Sequence, residues 1–158
     1  MVHEEIEQEL YTSYLEKELR LDAQGCWFHD GVRFTHKKLS SFFHRSIFYD
    51  KELESYVLLI GKGRATFKHD GFVRFVFRID EEDNGELVVQ LLCGSQVALD
   101  PGNLLISTVD DVFLLKLPSL EIARFTRPAQ QAILEYAESE RTLVVNGRSH
   151  LIPFYEDE

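Results

Sequence analysis

Two stretches decide how this chain is read: Phe34-Thr35-His36-Lys37-Lys38-Leu39-Ser40-Ser41-Phe42-Phe43 and Phe125-Thr126-Arg127-Pro128-Ala129-Gln130-Gln131-Ala132-Ile133-Leu134. Each begins Phe-Thr, continues with a basic residue and passes into an apolar pattern of helical period. In the first, Thr35 can cap a helix over 37–47 whose Leu39, Phe42, Phe43 and Ile47 share one face. In the second, Pro128 occupies the favoured first-turn position of a helix reaching to about 138, with Ile133, Leu134 and Ala137 buried. At one constant offset Phe42 and Phe43 fall opposite Ile133 and Leu134.

Working outward, each predicted helix leads to an apolar strand, a glycine turn followed by a base (Gly63-Arg64, Gly147-Arg148) and a second strand. A duplicated unit explains this layout. Two short runs, 26–29 and 32–35, flank Asp30-Gly31, a strong hairpin signal. Between the helices, runs at 56–60, 64–68, 72–80, 87–93, 104–108 and 112–117 are separated by glycine turns in their earlier part and read as an antiparallel meander. Two strands, 142–145 and 150–154, surround Asn146-Gly147. Upstream, Ile6, Leu10, Tyr14, Leu15 and Leu19 recur among acids, the pattern of an N-terminal docking helix over 3–19. The expected fold class is α+β. It comprises an N-terminal helix (1–20), a first module (21–80) and a second, related module (81–158), each an antiparallel curved sheet with one helix.

The chain has 158 residues and a formal charge of −10, which disfavours nucleic-acid backbones at long range. No apolar run approaches the ~20 residues of a membrane helix, and the Glu-rich start is unlike a secretory signal. These features predict a cytoplasmic protein. Cys26 and Cys93 form no CxxC pair and read as small buried side chains rather than a disulfide or zinc framework. The charge is unevenly spread: residues 30–78 hold ten bases and five acids, whereas 79–158 hold five bases and fifteen acids.

At Gly25-Cys26-Trp27-Phe28-His29-Asp30-Gly31, followed by His36, Leu39, Phe43 and Ile47 and then Tyr56-Val57-Leu58, the chain resembles the domain-of-unknown-function family numbered 1285. The resemblance covers residues 21–80. It implies a bacterial cytoplasmic protein of two related α+β halves, comparable with pleckstrin-homology-like modules and linked to signalling. It brings no established activity, cofactor or catalytic residue. Family members commonly continue with an acidic, proline-containing segment, where this chain has Lys68-His69-Asp70-Gly71-Phe72.

The basic middle carries the main site candidate. Alternation over 72–80 sends Val73, Phe75, Phe77 and Ile79 to one face and Arg74, Val76 and Arg78 to the other, while Arg64, Thr66 and Lys68 point outward from the strand before it. Paired as a hairpin through Asp70-Gly71, the two strands gather Arg64, Lys68, Arg74 and Arg78 on one sheet face. Like charges so placed repel unless something negative covers them. The cover is either an anionic ligand, or the chain's own acids at 80–83 and 110–111 or in the first helix.

His29, Asp30, His36 and His44 have the residue types of a metal or acid-base site, but no i, i+4 ligand pair. Cys26 and His29 point to opposite faces of a strand, so they do not read as nucleophile and base. Ser40-Ser41 lack a nucleophile elbow, Gly61-Lys62-Gly63 is a hairpin turn, and the acidic run at 80–85 lacks the ligand spacing of a calcium loop. No cofactor is called for. The expected function is a non-catalytic regulatory or signalling module that binds a protein or small anionic ligand. The competing expectations are a small hydrolase or metal-dependent enzyme using His29, Asp30, His36 and His44, and a homodimer of structural role formed through exposed aromatics.

Overall fold

The computed structural model describes residues 17–156, and the chain divides into two compact units between Val73 and Arg74. The described residues are mostly strand, in several sheets, with two α-helices, which makes the fold α+β. The predicted helix over 3–19 lies almost wholly outside the described residues. Its last residue, Leu19, belongs to a strand.

In the first unit β1 (Leu19–Leu21), β2 (Trp27–His29) and β3 (Val32–Arg33) precede α1 (Lys37–Arg45). After it come β4 (Ile47–Asp50), β5 (Ser55–Ile60), β6 (Gly63–Thr66) and β7 (Lys68–His69). One sheet has the order β3-β2-β1-β7 and the other β4-β5-β6. The hairpin at Asp30-Gly31 forms as the dipeptide predicts: both residues sit at positive φ, +47° and +81°, the mirror-image turn that matches strand twist. The β1 to β7 pair is parallel, with Arg20 opposite Lys68 and Leu21 opposite His69, so this sheet is not an antiparallel meander. Trp27, Phe34 and Phe43 build the core, with Phe43 fully buried against Trp27 (ring centroids 5.5 Å) and Phe34 (5.3 Å).

The cap of α1 is His36, not Thr35: His36 Nδ1 accepts the Leu39 N–H at 3.1 Å. This one-residue difference changes how the helices correspond. With the two N-caps His36 and Thr126 aligned, Leu39 falls opposite Ala129 and Phe43 opposite Ile133, and all four are buried. Phe42 is only partly buried and Leu134 is 45% exposed, so the pairing of Phe42 with Ile133 and Phe43 with Leu134 does not hold.

The second unit begins with β8 (Arg74–Glu81), continues through β9 (Leu87–Leu91), β10 (Gln96–Leu99), β11 (Leu104–Ser107), β12 (Phe113–Lys116) and β13 (Ile122–Phe125), and then enters α2 (Arg127–Leu134). The strands β14 (Thr142–Val145), β15 (Arg148–Leu151) and β16 (Phe154–Tyr155) complete it. Seven strands form one sheet, β10-β9-β8-β13-β12-β11-β16, while β14 and β15 form a hairpin around Asn146-Gly147. Val76, Val89, Leu104, Phe113, Phe125 and Ile133 mark its core.

Two sequence expectations change here. The strand at 72–80 belongs to the second unit, because β8 is hydrogen-bonded to β9 on one side and, in parallel, to β13 on the other. Its alternation also breaks: a register shift between Val76 and Arg78 buries Val76 and leaves Phe77 40% exposed. A single inserted residue exchanges the two faces of a strand from that point on.

Candidate functional site

The four predicted anion-binding cations do not meet on one sheet face. The run containing Arg64 and Lys68 makes no hairpin with 72–80; β6 pairs with β5, β7 with β1, and β8 with β9 and β13. Arg64 and Lys68 therefore lie in the first unit, Arg74 and Arg78 in the second. Each cation meets a carboxylate of its own unit. Arg64 bonds Asp50, Lys68 Nζ lies 3.2 Å from Glu18, Arg74 Nε 3.2 Å from Glu121, and Arg78 Nε 2.8 Å from Asp80.

Two of the four remain together, with a third cation the sequence did not single out. Lys17, Arg64 and Lys68 surround an open groove of about 570 Å3 in the first unit, where apolar Leu19, Val57 and Phe67 also line it. The volume falls in the range of small-ligand and peptide sites. Two of these six, Lys17 and Leu19, come from the chain at β1, together with Glu18, which also lines the groove, and are brought to β6 by the parallel pairing of β1 with β7. Phe67 connects the groove to the core, since its ring packs on Trp27 at 5.1 Å.

Four charges hold this parallel pair in register. Arg20 and Lys68 are direct partners across the strands, a placement of like charges that would be unfavourable alone. Diagonal bonds offset it: Arg20 donates to both Asp70 oxygens, at 2.8 and 3.1 Å, and Lys68 donates to Glu18. The bond to Asp70 and the Asp70 charge raise the Arg20 pKa further, so the guanidinium stays charged throughout. All four groups are well exposed, and such pairs position strands more than they stabilise them. A second concavity of about 550 Å3 lies beside Arg20, but Glu18, Asp22 and Asp70 line it, which gives it the opposite charge preference.

The histidine constellation separates into local structural contacts. His36 caps α1, and His44 is buried within that helix with Nε2 2.9 Å from the Gly25 carbonyl oxygen. The His29 ring packs on Phe34 at 5.0 Å, and Asp30 accepts the Glu18 N–H at 2.9 Å. Among the described residues no three His, Cys, Asp or Glu side chains are grouped to hold a metal ion. Cys26 is partly buried, which pushes its thiol pKa up; the Asp22 charge adds to this, and Arg33, 3.3 Å from the sulfur, opposes it. A protonated thiol is a poor nucleophile.

No helix of the described residues is long and apolar enough to cross a membrane. No protein-family model and no curated protein matches the sequence. Two crystal structures match the fold. A DUF1285 family protein from Silicibacter pomeroyi DSS-3 superimposes with a TM-score of 0.61 at 12% identity, over 86% of this chain and 79% of that one. A DUF1285 family protein from Shewanella baltica OS155 does so with a TM-score of 0.56 at 14% identity, over 76% of this chain and 92% of that one. At these identities the likeness is one of fold. In that respect the chain resembles proteins of the DUF1285 family, in agreement with the residues around Trp27.

Proposed function

We propose that this protein is a non-catalytic regulatory or signalling module of the cytoplasm, and that it binds an anionic partner in the groove of its first unit. The observation carrying this reading is that Lys17, Arg64 and Lys68 line one groove with the accessible apolar side chains of Leu53 and Phe67. Cations at the rim attract and orient an acidic group, while apolar side chains supply the contact area that charge in water does not. Arg74 and Arg78 belong to the second unit and form no part of it. The dispersal of His29, Asp30, His36 and His44 supports binding over hydrolysis, which needs its polar groups convergent. The two units, each with a strand leading through a short link into a helix and then a hairpin, support a reading as related halves of pleckstrin-homology-like type.

The test uses the single tryptophan as reporter, because Trp27 touches groove-lining Phe67. Titration with hexaglutamate should change Trp27 fluorescence and move the backbone resonances of residues 17–19 and 64–68, with hexalysine as the inactive control. Lys17→Glu with Lys68→Glu should weaken the response at least tenfold. Absence of any change at millimolar hexaglutamate would overturn the reading.

A further inference from the structure

The groove has an unusual wall. β6 is the outer strand of its sheet, bonded to β5 along one side, and no strand of the described residues lies along the other. The loop that precedes it decides which backbone groups are left over. Ile60 and Gly63 flank the two-residue loop Gly61-Lys62, in which Gly61 has φ +58°; this is the glycine-first hairpin turn, and the residues flanking it form a hydrogen-bonded pair. Antiparallel pairs alternate between bonded and non-bonded. Leu59 with Arg64 is therefore non-bonded, Leu58 with Ala65 bonded, and Val57 with Thr66 non-bonded. It follows that the N–H and C=O groups of Arg64 and Thr66 turn away from β5 toward the free edge.

Arg64 and Thr66 of that edge line the groove together with Lys68, and the chain at β1 contributes Lys17, Glu18 and Leu19. An open strand edge is a template for one more strand, and edges left open usually carry charges that select what can pair. Here three cations and one carboxylate, Glu18, line the groove; the cations already meet Asp30, Asp50 and Glu18, and the lining keeps a net positive charge that selects for acid. We infer that the occupant of the groove is an extended acidic peptide that adds to β6 as a further strand, bonding the backbone of Arg64 and Thr66. Its alternate side chains divide between the lysines and arginine on one side and Leu53 and Phe67 on the other. This rests on the groove reading above and specifies its ligand class. A small free anion would reach the cations but leave both the backbone edge and most of the 570 Å3 unused.

The experiment titrates the full chain with a capped Glu-Val-Glu-Val-Glu-Val peptide and with two N-methylated forms of it, one methylated on the glutamates and one on the valines. In a paired strand alternate N–H groups face the partner, so one methylated form should bind at least tenfold more weakly than the parent while the other keeps its affinity. The Arg64 and Thr66 amides should exchange more slowly with solvent in the complex. Equal affinity of all three peptides, or equal loss in both methylated forms, would overturn strand addition; if Lys17→Glu with Lys68→Glu still abolished binding, the groove reading would stand without it. A parent peptide that fails to bind at millimolar concentration would remove both.

Discussion

Replacing Phe43 by Ala tests which face of the first helix is buried, on which the proposed correspondence between the two units depends. Phe43 is fully buried and its ring meets those of Trp27 and Phe34, at 5.5 and 5.3 Å. Truncating a buried phenylalanine costs about 3–5 kcal/mol through lost burial and the cavity left behind. Phe42, one residue away, is only partly buried and lies under the Arg45 guanidinium at 5.8 Å, so Phe42→Ala should cost about 1 kcal/mol. The second unit should repeat the contrast. Ile133→Ala removes a fully buried side chain and should cost about 2–5 kcal/mol, whereas Leu134→Ala, at 45% exposure, should cost under about 1 kcal/mol. Urea unfolding separates the units: Trp27 fluorescence follows the first, which holds the only tryptophan, and far-UV circular dichroism follows both. A loss from Phe42→Ala equal to or larger than that from Phe43→Ala would refute Phe43 as the buried residue of the first helix, and Leu134→Ala exceeding Ile133→Ala would refute Ile133 as that of the second.

Other outcomes follow from single sites. Burial alone would raise the Asp110 pKa, but the Arg124 guanidinium bonding it at 2.7 Å, with the Val112 N–H and Ser107 hydroxyl, outweighs burial and holds it below the ordinary carboxylate range. Because the folded-state value is the lower one, the stability it contributes is complete above the unfolded value near ~4 and is lost as pH falls through the folded value. Asp110→Asn should therefore flatten the decline of the urea midpoint below about pH 4, and an unchanged decline would count against the pair. Leu120 sits at φ +73° with 73% of its surface exposed. Relief of about 1–2 kcal/mol of left-handed strain, set against about 0.4–1 kcal/mol of added unfolded-chain freedom, makes Leu120→Gly stabilising by up to about 1.5 kcal/mol. A lower urea midpoint would show instead that the leucine side chain is held by a contact. Gly85 and Gly147 both have positive φ, but a Cβ on Gly85 would come within 2.6 Å of Asn146 Oδ1 whereas one on Gly147 meets nothing within 4 Å. Gly147→Ala should cost about 1–2 kcal/mol from backbone strain, and Gly85→Ala about 1 kcal/mol more. Equal midpoints for the two variants would mean that Asn146 moves aside freely.

The features legible in the chain are those whose cause lies within a few residues. Asp30-Gly31 and Asn146-Gly147 specify their hairpins because both central positions need positive φ, and of the residues the helical period marks, Leu39, Phe43 and Ile133 are buried while Leu134 is exposed. The class α+β follows from those elements alone. Only the tertiary structure decided which strands pair across long separations. β1, β7 and β16 are two or three residues long, too short to carry a period, and their parallel partners are chosen by the packing of whole units rather than by any local preference. The same reason hid the candidate site. Arg64 and Lys68 were visible as cations, but Lys17 joins them solely through the pairing of β1 with β7, and Arg74 leaves them because β8 finds its neighbours in β9 and β13. A one-residue bulge at Phe77 did the rest, since strand alternation has a period of two and no memory beyond the next insertion.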